Sequence, residues 1–219
     1  MDIKIFIKRE FPIVIILIAP IIYLIAVWNQ LPDQLPIHWN LKGEVDDYGP
    51  KYLMALLNIG LYLLLLLLPK IDPRKKNYDN FSSTYFKLRL MLVLFFSSIT
   101  AVIISKSIGF DIDLDRIVII GVILLLMTFG NYMGTIKPNW FIGIRVPWTM
   151  ENETVWKKTH LMAGKLWFWL GLALLIPSFF LSKQLLNIGL IVVVSIMTII
   201  PIAYSYIIFQ KMKKTENHE

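Results

Sequence analysis

The residues that could do chemistry lie in two polar stretches that separate apolar segments. In the first stretch, residues 29–51, His38 is followed by Glu44, Asp46 and Asp47, which could offer one imidazole and several carboxylates to a metal ion. One histidine with carboxylates at irregular spacing is a poor zinc pattern, and the other two histidines fall in segments that we place across a membrane from it below. We therefore predict no metal site and no cofactor, and we interpret this stretch as a structured lid.

The second stretch, residues 133–165, carries the side chains that an enzyme would use. Arg145, Thr149 and His160 are its candidates for acid–base or nucleophilic chemistry. The chain has no HExxH motif, no GxSxG motif and no evident base partner for this histidine. The sequence therefore predicts a protein that is not an enzyme, with an intramembrane enzyme that uses this loop as an alternative.

The same stretch is expected to be ordered. Pro138 and Pro147 bracket an aromatic run with a single charge, Arg145, and five of the seven tryptophans fall within residues 140–169. An unpaired charge among Trp and Phe would be costly, so Arg145 should bond backbone carbonyls at helix ends or a nearby glutamate. The polar residues of this stretch could form a site, or they could be hydrogen-bonding staples for a tight loop. We favour the staples.

A short amphipathic helix should follow within this second stretch. Thr149 is the candidate N-cap, because Glu151 and Glu153 would then lie in the first turn, where the helix dipole favours acidic residues. One face of this helix would carry Val155, Trp156, Thr159 and Met162. We expect this segment to anchor the next membrane helix at the interface.

Composition assigns both stretches to a membrane protein. The 219 residues are 57% hydrophobic and 17% charged, with a mean hydropathy of +0.64, whereas soluble domains are about 45–50% apolar and about 25% charged. The formal charge of +7 is typical of basic cytoplasmic loops in such a protein, and we predict no nucleic-acid partner. The absence of cysteine excludes disulfides, thiol catalysis and Cys-ligated metals.

Six apolar segments are long enough, or nearly so, to cross a bilayer, which needs about 20 residues for each helix. The predicted fold class is therefore all-α, a polytopic membrane protein with a bundle of six transmembrane helices. We divide it into residues 1–89, a two-helix unit that includes the first stretch, and residues 90–219, a four-helix region that includes the second. The predicted spans are Phe11–Trp28, Tyr52–Leu68, Leu90–Ile104, Ile117–Tyr132, Leu166–Leu181 and Leu185–Phe209.

The distribution of basic residues predicts the orientation. Of the 22 Lys and Arg residues, 17 flank one side of the six spans and 5 flank the other, and the side rich in Lys and Arg is normally cytoplasmic. Both termini should therefore be cytoplasmic. Residues 29–51 become the outer loop, in which the alternation of Leu35, Ile37, Trp39 and Leu41 predicts a short extended stretch, and residues 133–165 become the cytoplasmic loop.

The central parts of the predicted spans contain no Asp, Glu, Lys, Arg or His. Ion pathways and proton relays normally need such groups at membrane depth. The sequence therefore argues against a transporter or channel component, which we keep as the first alternative function.

Motifs in both loops resemble a known family. The runs Gly130–Tyr132, Lys137–Arg145, Pro147–Thr149 and Val155–His160 resemble the signature of the SdpI family of membrane proteins. The run Leu35–Asn40, which contains the PIHWN motif, resembles the unnamed domain that begins many of these proteins.

The resemblance implies a bacterial multi-pass protein of the cytoplasmic (inner) membrane. Well-understood members are immunity proteins against a secreted killing peptide, and some also hold a small repressor at the membrane. The implied partners are membrane lipid, a peptide toxin and, in some members, that repressor; no oligomeric state is implied. The residues that we single out on the outer loop are His38, Trp39, Asn40, Gly43 and Asp46. Those at the cytoplasmic loop are Asn131, Pro138, Asn139, Phe141, Gly143, Arg145, Pro147, Trp148, Thr149, Trp156, Thr159 and His160.

Overall fold

The computed structural model describes residues 3–40 and 45–216, with side chains described for residues 8–40 and 45–215. It is 77% helical, and within the described residues six helices are long and apolar enough to cross a membrane. The predicted all-α, six-span architecture is therefore confirmed. The long helices are α1 (Ile3–Ala26), α2 (Leu53–Ile71), α3 (Ser82–Ser107), α4 (Leu114–Met133), α6 (Glu153–Leu175) and α7 (Lys183–Glu216), and α5 (Pro147–Glu151) is a single short turn.

The outer loop folds into an antiparallel hairpin. Strand β1 (Gln34–Trp39) pairs with β2 (Val45–Pro50), and the register shifts on either side of His38. The expected extended stretch is thus confirmed over Gln34–Trp39, and it gains a partner strand that the alternation of apolar residues did not predict. Leu41 and Gly43 lie outside the described residues.

Two compact units contain the described residues. Unit 1 is drawn from Met1–Leu67 and Lys87–Gly121, and unit 2 from Leu68–Phe86 and Val122–Glu219. The division at residue 89 that we made from the spans stays a prediction.

The core of unit 1 fixes the hairpin to the helices. Leu35 of β1 is fully buried and packs in one cluster with Leu24 of α1, Met54 of α2 and Ile104 of α3. At the base of β2, the ammonium of Lys51 donates to the carbonyl oxygens of residues 28 and 31 and lies 4.6 Å from the centre of the Trp28 ring. The hairpin is therefore attached to the helices by both apolar and polar contacts.

A buried ion pair joins α1 to α3 in unit 1. Glu10 and Arg89 are each the eighth residue of their helix, and both are almost completely buried. The Arg89 guanidinium donates to the two Glu10 oxygens at 3.0 and 2.5 Å, and the Tyr62 hydroxyl donates to Oε2 at 3.2 Å. The predicted spans began one residue after each of these side chains. Each helix in fact begins before its charged residue, and that residue can be buried inside the helix bundle because a partner neutralises its charge.

In unit 2, α6 begins earlier than the predicted fifth span. Asn152 caps it, since its Oδ1 accepts from the backbone N–H groups of Thr154 and Val155. The amphipathic segment then continues without a break into the apolar one. Gly164 does not interrupt the helix but allows it to approach α4, because a Cβ there would lie 2.6 Å from the carbonyl oxygen of Gly130.

The prediction that Thr149 is the N-cap was wrong. Thr149 lies inside α5, fully buried, and its hydroxyl accepts from the N–H of Val146 at 3.1 Å. Its Oγ is also 2.7 Å from the carbonyl oxygen of Ile144. The threonine therefore closes the turn of α5, and the longer helix takes its cap from Asn152 instead.

Candidate functional site

A polar pair stands on the hairpin of the outer loop. The Nδ1 of His38 lies 2.6 Å from Oδ1 of Asp46 on the facing strand, and both side chains are solvent-exposed. Asp47 accepts from the N–H of Tyr48 through Oδ1. Within the described residues, no three His, Asp or Glu side chains come close enough to hold a metal ion. The chemistry offered here is hydrogen bonding and negative charge at an exposed edge.

A groove of about 440 Å³ lies between this hairpin and two helices of unit 1. Its walls include Ile37 and Trp39 of β1, Leu57 of α2, and Phe96 and Ile99 of α3. Trp39 is half-buried there, and Leu57 and Phe96 are among the exposed apolar residues. The groove is therefore suited to apolar side chains or acyl chains. Of the predicted outer-loop residues, Trp39 contributes to it directly.

The polar residues of the groove are bonded to one another. Asn58 donates through Nδ2 to Thr100 at 2.7 Å and to the Met54 carbonyl at 2.9 Å. Ser97 donates to the Asn58 oxygen at 3.4 Å. Because the amide of Asn58 is engaged in this way, the groove selects a ligand mainly by shape and apolar contact.

Asn139 is the centre of the cytoplasmic loop. It is fully buried. Its Oδ1 accepts from the N–H groups of Phe141 and Ile142 at 2.9 and 2.7 Å, and its Nδ2 donates to the carbonyls of Lys137 and Ile142, both at 2.9 Å. One side chain thus closes the turn that begins the aromatic run, which supports the interpretation of these residues as staples.

A second set of loop contacts comes from the segment after α2, which the sequence analysis did not single out. Asp72 is buried, and its Oδ2 accepts from the Tyr78 hydroxyl at 3.0 Å and from the N–H of Trp140 at 2.9 Å. Arg74 donates to the Met150 carbonyl, and Asn77 donates to the carbonyl of residue 138. The one signal available in the sequence was the isolated acid in an otherwise basic stretch.

His160 is stacked and bonded rather than available for proton transfer. Its ring lies 4.0 Å from that of Trp156, and its Nδ1 is 2.8 Å from the Trp156 carbonyl. The N–H of Ile144 donates to Nε2 at 3.0 Å. This accepted bond assigns the neutral tautomer with the proton on Nδ1, so both nitrogens are in use.

Gly143 is required for this packing. Its φ is +113°, a region that L-residues rarely adopt. A Cβ at this position would overlap Nε2 of His160. The glycine therefore allows the loop backbone to lie directly on the imidazole.

The indole of Trp148 links α5 to α7. Its Nε1 donates to the buried hydroxyl of Ser205 at 2.6 Å, and its ring packs edge-on against Tyr206. Trp156 makes a similar bond to the carbonyl of Ile136 at 2.8 Å. The tryptophans of this loop therefore act as hydrogen-bond donors as well as apolar surface.

The remaining predicted residues have different surroundings. Arg145 is exposed and donates through Nη1 to the carbonyl of Trp140, which belongs to the same loop and not to a helix end. Asn131 is exposed beside a second groove of about 350 Å³ in unit 2. Thr159 is fully buried, and its hydroxyl has no partner within the described residues. The last three are Pro138, which is buried, Phe141, which is half-buried, and Pro147, which is exposed at the start of α5.

The chain is similar to known proteins over nearly its whole length. Residues 135–205, which contain most of the cytoplasmic loop, match the model of the SdpI/YfhL protein family. Residues 15–63, which contain the hairpin, match a domain of unknown function (DUF1648). The PIHWN motif as a mark of that domain stays a prediction.

A curated relative from Bacillus subtilis (strain 168), named "Immunity protein SdpI", is 26% identical over 208 residues, which are 94% of this chain and 98% of the relative. None of the solved structures matches the chain. The resemblance seen in the motifs is thereby confirmed: the chain is a multi-pass membrane protein that contains a region matching the SdpI/YfhL protein family.

Proposed function

We propose that this protein is an immunity protein of a bacterial cytoplasmic membrane. It protects the cell from a secreted, membrane-active peptide by binding that peptide stoichiometrically. The observation that carries the proposal is the match to a relative named as an immunity protein, which spans 94% of the chain and not one motif alone. An end-to-end match is consistent with the same arrangement of spans and loops in both proteins.

Binding without turnover is supported by the state of the candidate catalytic residues. Both nitrogens of His160 are engaged by backbone groups, and the Thr149 hydroxyl is buried in the turn of α5. A general base must reach the proton that it removes, and a nucleophile must be accessible to the substrate. The polar groups of the cytoplasmic loop therefore serve to hold its shape.

We assign different tasks to the two loops. The outer loop, with His38, Trp39, Asn40 and Asp46, meets the peptide and sets its orientation. The cytoplasmic loop stabilises the protein and also presents its ordered surface to a small repressor. Its ordered backbone favours this second task, because a rigid loop loses little entropy when a partner binds.

The test uses the host strain with this gene deleted. Cells that express the wild type, the double variant His38→Ala/Asn40→Ala, or the control Asp111→Ala are challenged with several doses of the peptide fraction that the host secretes. We expect survival to follow the ratio of immunity protein to peptide, and intact peptide to be recovered by mass spectrometry. The double variant should protect less at equal protein level, whereas Asp111→Ala should match the wild type, because Asp111 is exposed but lies outside the hairpin.

Two results would contradict the proposal in different ways. Equal protection by the wild type and the double variant would remove the outer loop from the mechanism. Recovery of chemically altered peptide in large excess over the protein would replace binding by an enzymatic activity.

A further inference from the structure

The groove of unit 1 and the hairpin beside it differ sharply in character. The groove is lined largely by apolar side chains, whereas the hairpin carries the exposed carboxylates of Asp46 and Asp47, and Asp33 is exposed just before β1. Residues 29–51 contain four acidic residues against two lysines, so the loop has a formal charge of −2 in a chain whose total is +7. A ligand that fits both features needs an apolar part and a cationic end.

The size of the groove limits what it can hold. About 440 Å³ lies in the lower part of the range of about 300–1,000 Å³ for ligand sites. It accommodates a short run of apolar side chains, not a complete helix. Trp39 lines the groove and pairs across the hairpin with Val45, the residue before Asp46, so a ligand held there lies next to the strand that carries the acidic residues.

Electrostatics favours a cationic peptide over a phospholipid as the occupant. A phospholipid acyl chain would fit the apolar walls, but its phosphate would then lie near the carboxylates of the hairpin, where like charges repel. Opposite charges at the exposed hairpin attract within a Debye length, about 8 Å at physiological salt. The one lysine described in this loop, Lys51, is buried, donates to two backbone carbonyls and lies 3.5 Å from the carboxylate of Asp33. It therefore offsets the charge of Asp33 and not that of Asp46 or Asp47.

We infer that the groove between the hairpin, α2 and α3 binds an apolar peptide segment whose cationic end lies against Asp46 and Asp47. This inference rests on the proposed function, because it names the chemical class of the peptide that the immunity protein would bind. It deepens that proposal by assigning selectivity to the acidic hairpin and affinity to the groove.

The experiment uses the purified full chain in nanodiscs of zwitterionic lipid. The probes are two fluorescent synthetic peptides with the same Leu/Ala segment, one ending in two lysines and the other in two glutamates. Binding is measured by anisotropy at low and high salt. We expect the lysine peptide to bind at least about tenfold more tightly at low salt, and this preference should shrink at 1 M salt, where the Debye length is about 3 Å.

Two matched pairs of variants test the two parts of the inference. Leu57→Trp fills the groove, and Leu56→Trp is its control, because Leu56 is equally exposed on the adjacent position of α2 but does not line the groove. Leu57→Trp should exclude one apolar side chain of the peptide from the groove, and the loss of that burial should weaken binding about tenfold or more. Leu56→Trp should leave binding unchanged. Asp47→Asn keeps an oxygen for the N–H of Tyr48 while removing the charge, and Asp111→Asn removes an exposed charge elsewhere.

The outcomes separate this inference from the proposed function. Asp47→Asn should reduce the lysine preference about two- to fourfold, as expected for a screened surface charge, with no change for Asp111→Asn.

If neither peptide binds, or if Leu57→Trp and Leu56→Trp behave alike, the groove is not the peptide site, even when the cells are protected. If phospholipid occupies the groove and both peptides fail to displace it, the occupant is lipid. Failure of protection in cells contradicts the immunity proposal, whatever the groove binds.

Discussion

Removal of the Asn139 side chain should be among the most damaging single changes in the cytoplasmic loop. Its amide makes four hydrogen bonds of 2.7–2.9 Å to backbone groups of residues 137, 141 and 142, and a longer one of 3.4 Å joins it to Tyr78. A typical hydrogen bond contributes about 0.5–1.5 kcal/mol net, and a buried group left without a partner costs about 1–3 kcal/mol. Because the side chain is fully buried, we expect Asn139→Ala to lower the free energy of unfolding by about 3–5 kcal/mol.

The assay is SDS-induced unfolding of the purified protein in mixed micelles, followed by tryptophan fluorescence. Asn131→Ala is the matched control, since Asn131 is an exposed asparagine of the same family signature and should change the free energy by less than about 0.5 kcal/mol. Asn139→Asp should also be destabilising, because it replaces the NH₂ donor by a second acceptor oxygen that faces two carbonyls. If Asn139→Ala and Asn131→Ala unfold alike, the side chain of Asn139 does not hold this loop.

Three further predictions concern other parts of the chain. Gly143→Ala should cost about 2 kcal/mol or more in the same unfolding assay, because its φ is +113° and a methyl group would overlap the imidazole beside it; an unchanged unfolding midpoint would contradict this. Glu10→Ala should cost about 3–5 kcal/mol by leaving a buried guanidinium without its carboxylate, and the double variant Glu10→Ala/Arg89→Leu should recover a large part of the loss, whereas additive losses would show that the pair is not coupled. In intact cells, an impermeant maleimide should label Tyr48→Cys but not Glu153→Cys, two exposed positions on opposite sides of the predicted topology, and the reverse pattern would invert the orientation.

The local character of the cytoplasmic loop could be predicted because its signals act over a few residues. Pro138 and Pro147 restrict the backbone on either side of the aromatic run, and an asparagine side chain readily bonds backbone groups two or three positions away. The bonds of Asn139 are of this kind. The expectation of staples in this loop therefore followed from side-chain chemistry alone.

The N-cap prediction failed for a related reason. Both Thr149 and Asn152 are good capping residues, and the choice between them depends on where the chain bends. The short turn of α5 uses the hydroxyl of Thr149 for the N–H of Val146, which leaves Asn152 to begin α6. Local propensity alone did not distinguish the two positions.

Two charged residues that the sequence analysis placed just outside the spans show that helix packing decides which charges are buried. Glu10 and Arg89 are 79 positions apart, and each would be costly to bury alone. The pattern of residues in one segment does not reveal that the other segment carries the opposite charge at the same depth in the bundle. The prediction therefore began these two spans too late, and only the pairing of the helices allows both residues to be buried.

The amino-acid sequence by itself determined the membrane class, the number of spans, the extended stretch of the outer loop and the resemblance to the SdpI family. These properties depend on composition, on apolar runs and on motifs, all of which are local along the chain. The tertiary structure alone decided that Asp72 accepts from the N–H of Trp140, that Glu10 neutralises Arg89, and that the hairpin and two helices enclose a groove. These features join residues that are distant in sequence, and their partners are selected by the packing of whole helices, which no local pattern encodes.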